Sequence, residues 1–181
     1  MKKLIAGLLV VLMVFSLAAC GPSESKIEDW DIHQLGHIAV RIPSDEIEEE
    51  TEKAYGVHTV LHESAVPGLT VRVIQFAGFI PFLLELDLPM EFILSESLRG
   101  AVQGGIGDFL TEAGGGEIQG ELSGETNGVR FYGLYGETVL DTANFKVHAF
   151  AYGDDFYAVM ILWSDDKAEF VEPFFESVRF S

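Results

Sequence analysis

The sequence predicts an α+β fold: an antiparallel sheet packed between helices. Three observations predict it. Short runs of alternating apolar and polar residues recur along the chain and are joined by hairpin turns. One long stretch, Glu91 to Ala113, has helical spacing. A second helical signal follows Ser164 and closes the chain. Three strands, a helix, four strands and a helix, in that order, build a sheet with helices on it rather than alternating βα units.

The elements follow in order. His37 to Ile42 alternates, with Ile38, Val40 and Ile42 on one face, and Pro43 ends the strand. Ser44 is placed to cap a short acidic helix from Asp45 to Ala54, whose carboxylates suit the helix dipole, and Gly56 stops it. Val57 to Glu63 and Leu69 to Ala77 are strands around a Val66-Pro67-Gly68 turn. In Glu91 to Ala113, Leu94, Leu98, Val102, Ile106, Phe109 and Ala113 form one stripe. Gly100, Gly104, Gly105 and Gly107 lie inside it. A close approach of Gly100 and Gly104 to the sheet accounts for them, and a break near Gly104 is the alternative. Gly114-Gly115-Gly116 ends the element.

Glu117 to Glu125 and Val129 to Val139 form a hairpin about Asn127-Gly128, a pair that favours the tight type I′ turn. Asn144 to Tyr152 and Asp155 to Trp163 form another about Gly153-Asp154. Phe156 to Trp163 is apolar on both faces, which predicts a central, covered strand. Ser164 caps the last helix, Pro173 starts its final turns, and Val171, Phe174, Phe175 and Val178 face inward.

Composition bounds the function. The chain has 181 residues, 48% hydrophobic and 22% charged, enough for one domain with a full core. Eleven basic against 29 acidic residues give a net charge of −18. Such a chain repels a phosphate backbone, so no nucleic-acid partner is expected. A single Cys excludes a disulfide framework and a thiolate zinc site. The acidity fits either a functional surface or adaptation to salt.

That one Cys is Cys20, and its position is informative. Lys2 and Lys3 precede an apolar run from Leu4 to Phe15, shorter than the roughly 20 residues a membrane-spanning helix needs. Small residues then lead to the Cys. Leu17-Ala18-Ala19-Cys20 resembles the lipobox of bacterial lipoproteins at all four positions. The resemblance implies a signal peptide over residues 1–19, cleavage before Cys20, and diacylglycerol on its sulfur. It also implies acylation of the new amino terminus. Stable anchoring needs two or more acyl chains, which the diacylglycerol already supplies. Residues 20–29 read as lipidated Cys and flexible tether, and residues 30–181 as a single domain. The expected location is the extracytoplasmic side of a bacterial membrane.

The domain also resembles the Mog1/PsbP-like superfamily, including its small bacterial lipoproteins. The carrying features are the strand ending at Ile42-Pro43, the long central helix, the Gly-rich hairpin strands, and Phe174-Phe175-Glu176-Ser177-Val178-Arg179-Phe180. In that tail Val178 replaces the Phe common in the family. The resemblance implies an α/β/α sandwich and no enzymatic activity. It implies no specific role, because the superfamily serves several.

Candidate chemistry is sparse. No nucleophile elbow, Walker loop, dinucleotide fingerprint or zincin motif is present. Gly104-Gly105-Ile106-Gly107 lacks the Lys-Ser or Lys-Thr of a phosphate loop. His58 and His62, like His33 and His37, are four apart and could share a face, but a metal needs a third converging ligand, and no cofactor is expected. Asp154-Asp155 and Asp165-Asp166 lack the ligand spacing of a calcium loop and suit turns and caps. The unusual segment is Phe76 to Leu94, dense in apolar residues and interrupted by Pro81 and Pro89. It is either a connection folded over the core or an exposed lip formed by Phe79, Phe82 and Leu83. The expected function is a lipid-anchored, non-enzymatic binding or accessory module that contacts an envelope protein. The alternative is a carrier that holds a small apolar ligand against Phe76 to Leu94.

Overall fold

The computed structural model describes residues 26–43, 47–54, 57–81, 98–112, 114–139 and 143–181. Two antiparallel sheets organise them. The larger has seven strands in the order β3-β4-β5-β9-β8-β7-β6: β3 (Glu48–Ala54), β4 (Val57–Val66), β5 (Leu69–Ala77), β6 (Gly116–Thr126), β7 (Val129–Thr138), β8 (Asn144–Tyr152) and β9 (Asp155–Trp163). The smaller joins β1 (Asp31–Leu35), β2 (Ile38–Ile42) and β10 (Arg179–Phe180) in the order β1-β2-β10. The described residues also include the helices α1 (Leu98–Glu112) and α2 (Val171–Ser177), α2 preceded by a 3-10 stretch at Asp165–Phe170.

The strand with two apolar faces takes the middle of the larger sheet. β9 is fourth of seven, paired with β5 on one side and β8 on the other. Its odd positions, Tyr157, Val159 and Ile161, enter one core with Val71 and Val73 of β5 and Phe150 of β8. Against them pack Ile38, Val40 and Ile42 of β2 and Phe174, Phe175 and Val178 at the C-terminus. Its even positions, Phe156 and Met160, enter a second core with Phe145 and Val147 of β8, Leu134 of β7, and Val102 and Ile106 of α1. Period-two alternation thus sends one strand's side chains into two separate cores.

The Asn-Gly hairpin forms as its chemistry requires. Asn127 and Gly128 both have positive φ, 49° and 81°, between β6 and β7. Glycines inside these strands serve close approach: a Cβ on Gly133 would lie 2.5 Å from the Val147 carbonyl oxygen. One on Gly136 would run into the Glu117 carbonyl.

Four expectations are corrected. The acidic run at Glu48–Ala54 is a strand, paired with β4 from Glu48 opposite Glu63 to Ala54 opposite Val57. Pairing with a neighbour outweighs local helix preference, and a charged strand suits a sheet edge because it deters further pairing. The glycines of α1 make no close approach, since a Cβ on Gly100, Gly104, Gly105 or Gly107 would meet nothing within 4 Å. The helix runs through Gly104 without a break. Ser164 makes no side-chain cap: its hydroxyl donates to Asp166 Oδ1 at 2.5 Å, while its backbone amide donates to the Gly68 carbonyl at 2.9 Å and ties it to the β4–β5 turn. Pro173 sits inside α2, which begins at Val171. The inward set of α2 is as expected, with Val171, Phe174, Phe175 and Val178 all buried.

Candidate functional site

Two hollows lie on opposite faces of the larger sheet. The first is beside α1. On β5 the even residues Arg72, Ile74 and Phe76 point to the α1 side, while α1 itself packs on β6, β7 and β8. The result is a space of about 430 Å³ between the helix and the β4-β5-β9 part of the sheet. Leu61, Ile74, Phe76, Phe109 and Met160 make its walls apolar. Two charged residues, Arg72 and Glu52, share its lining. Arg72 forms an ion pair with Glu63 on the neighbouring strand, and its guanidinium lies 5.4 Å from the centre of the Phe109 ring.

The second hollow, of about 340 Å³, lies between the β6–β7 hairpin and α2. His148 of β8 forms part of its wall. The imidazole is 4% exposed and sandwiched between Phe131 and Phe175, each with its ring centre 3.8 Å away. Neither ring nitrogen has a hydrogen-bond partner. Burial, reinforced by the nearby Lys146 ammonium, pushes the His148 pKa down to about 3, so the ring is neutral near pH 7. Lys146 Nζ bonds Glu172 at 2.6 Å and sits 5.2 Å from the Phe175 ring centre.

The residues singled out in the sequence are placed unevenly. Phe79 is half-buried, its ring 6.1 Å from that of Phe76 and 5.6 Å from that of Phe156. Phe82 and Leu83 lie outside the described residues, as do the lipobox residues Leu17, Ala18 and Ala19 and Cys20 itself. His62 is buried and faces Glu49 across the β3–β4 pair at 3.6 Å. Burial lowers its pKa, and Glu49 opposes that. His58 is exposed opposite Lys53. His33 is on β1 and His37 in the turn that follows. Among the described residues no three His, Cys, Asp or Glu converge to hold a metal ion. Asp155 is buried and accepts from Gln75 Nε2 at 2.8 Å, the Gly78 amide at 3.0 Å and the Tyr157 hydroxyl at 3.0 Å. That network fastens the end of β5 to β9. No helix among the described residues is long and apolar enough to cross a membrane.

Sequence reasoning missed both hollows. His148 carried one signal, a lone ionisable side chain inside the apolar run Val147 to Ala151. Arg72 carried a similar one between Val71 and Val73.

The seven-stranded antiparallel sheet with helices packed on it defines an α+β protein with a PsbP-like fold. The cyanobacterial PsbP (CyanoP) of Synechocystis sp. PCC 6803 superposes with a TM-score of 0.56 over 90% of this chain and 97% of that one, at 12% identity. A Pseudomonas aeruginosa protein of unknown function, described as a putative regulator, gives a TM-score of 0.33 over 80% of this chain and 89% of that one, at 8% identity. No family model and no curated protein matches the sequence. At such identity the first likeness concerns the fold alone.

Proposed function

We propose that this chain is a lipid-anchored, non-enzymatic binding module on the extracytoplasmic face of a bacterial membrane, built as an α/β/α sandwich. The observation that carries the reading is Leu17-Ala18-Ala19-Cys20, in which the only Cys of the chain occupies the position a lipobox requires. The engagement of these polar groups supports a binding rather than a catalytic role: the buried Asp155 and Tyr157 hold strands together, and the half-buried Arg72 and Glu63 neutralise each other. Like charge between the acidic domain and an anionic bilayer keeps the domain off the membrane surface, where an envelope protein can meet it. Cells expressing wild type and Cys20→Ala, fed labelled palmitate and fractionated, test this. Wild type should carry label and sediment with membranes. If Cys20→Ala is labelled and sediments like wild type, the anchor is refuted.

A second reading, carriage of a small apolar ligand, is favoured by the hollow of about 430 Å³ beside α1, whose wall includes Phe76. Native mass spectrometry of the purified chain tests it. A carrier retains a bound mass that Ile74→Arg expels; an empty wild-type hollow refutes carriage.

A further inference from the structure

We infer that the hollow beside α1 takes an uncharged ligand with a hydrogen-bond acceptor, a carbonyl or ether oxygen, at one end of an apolar body, and that Arg72 is the donor to it. This rests on the carrier reading above and names the class of ligand carried.

Strand register gives the site its polarity. On the α1 side, directly paired residues form rows across the sheet: Glu63, Arg72 and Met160, then Leu61, Ile74 and Ala158, then Phe76 and Phe156. The first row is charged and the next two are apolar. Ala158 accounts for the depth. It lies between Ile74 and Ala149 on the neighbouring strands, with Phe156 and Met160 on either side along β9, so the middle of the floor is low. The half-buried Leu61, Ile74, Phe76 and Phe109 turn apolar surface to the space. From Arg72 to Phe76 the strand rises about 13 Å, room for an elongated body.

Hydrogen bonding names the head group. Among the described lining residues, Arg72 is the side chain that carries N–H groups. A guanidinium has five of them and accepts nothing. Nε donates to Glu63, and neither Nη nitrogen meets an acceptor among the described residues. Glu63 on one side and the Phe109 ring on the other hold the group in place.

Charge decides the class. Glu63 already neutralises Arg72, so a carboxylate would gain little attraction and would meet Glu63 and a chain of net charge −18. An ammonium would meet the guanidinium. An uncharged acceptor takes the Nη hydrogens and brings no charge to desolvate. Glu52, the other charged lining residue, is exposed on the edge strand β3 in the row of Phe76, away from the head position.

The test is an NMR titration of the full chain in neutral detergent with butyrophenone, butylbenzene and phenylbutyrate, free ligand being fixed by dialysis. Butyrophenone should bind saturably, shift the Arg72 guanidinium and Ile74 methyl signals, and bind at least tenfold tighter than the other two. This wild-type ranking needs no variant to fold. In Arg72→Met with Glu63→Gln, which removes both charges together, the preference over butylbenzene should vanish. Ala158→Leu should fill the hollow and weaken ketone and hydrocarbon alike. Equal wild-type binding of butylbenzene and butyrophenone, both weakened by Ala158→Leu, overturns the acceptor and leaves the carrier reading standing. A preference that survives in the double variant overturns the role of Arg72. Tighter binding of phenylbutyrate overturns the uncharged class. Binding of none of the three overturns this inference and the carrier reading together.

Discussion

Replacing Tyr157 by Phe removes one oxygen from a buried junction and keeps the ring. That oxygen accepts the His37 backbone N–H at 2.8 Å and donates to Asp155 Oδ2 at 3.0 Å. Gln75 Nε2 approaches it at 3.5 Å. The ring is fully buried. In the variant Asp155 keeps Gln75 and Gly78 as donors, so the carboxylate stays satisfied. The His37 amide, at the turn between β1 and β2, is left without its acceptor. The bond is part-buried, and a donor orphaned away from water costs about 1–3 kcal/mol, which bounds the loss from above. For a chain of this length each kcal/mol lowers Tm by roughly 2–4 °C, so a fall of ~2–12 °C is expected.

Differential scanning calorimetry measures that fall, and alkaline titration supplies an independent check. Burial raises the Tyr157 phenol to about 12; the His37 amide opposes this and Asp155 adds to it. The sign follows from linkage. A phenol with a folded-state pKa above its ordinary 10 contributes stability that is fully present below pH 10 and is lost as pH rises toward 12. Wild type should therefore lose more stability than Tyr157→Phe between pH 10 and 12. An unchanged Tm together with the same alkaline slope would refute the role given to this junction.

Three further outcomes are expected. His148 runs the opposite way: a ring held near pKa 3 contributes stability present above pH 6.5 and lost as pH falls toward 3, at most about 5 kcal/mol, so acid unfolding monitored by circular dichroism should be steeper in wild type than in His148→Phe. Gly136→Ala drives a methyl into the Glu117 carbonyl and must shift the β6–β7 pair, so urea denaturation should show a loss of about 1–3 kcal/mol, while Gly104→Ala on open helix surface should gain up to ~1 kcal/mol. Val159→Asp puts a carboxylate in the central strand with no cation beside it and should abolish soluble folded protein, whereas Met160→Asp lies opposite Arg72 and should be milder; equal tolerance of both in nitrogen–proton NMR spectra would contradict the assignment of the two faces.

What was legible in the sequence was what neighbours along the chain determine. The Asn127-Gly128 turn, the bounds of β8 and β9, and the inward set of α2 follow from local dihedral preference and periodicity. The central place of β9 follows from apolarity on both faces. What failed was decided across the fold. Glu48–Ala54 reads as a capped acidic helix by itself and is a strand because β4 lies alongside it. β1 gave no clean alternation, since Ile32 points to solvent at 65% exposure and its pairing with β2 holds it. The glycines of α1 suggested contact and face open space.

The same division explains why the two hollows were invisible. Each needs residues from strands far apart in sequence. Arg72 meets its neutralising Glu63 from β4 and its aromatic cover from α1. His148 meets Phe131 from β7 and Phe175 from α2. A lone ionisable residue in an apolar run tells only that something across the fold must answer it. For Arg72 the fold itself answers, with a carboxylate and a ring. For His148 it supplies two aromatic faces and leaves both nitrogens bare. That difference lies in which elements the fold brings across the sheet, and neither answer can be read from the neighbours along the chain.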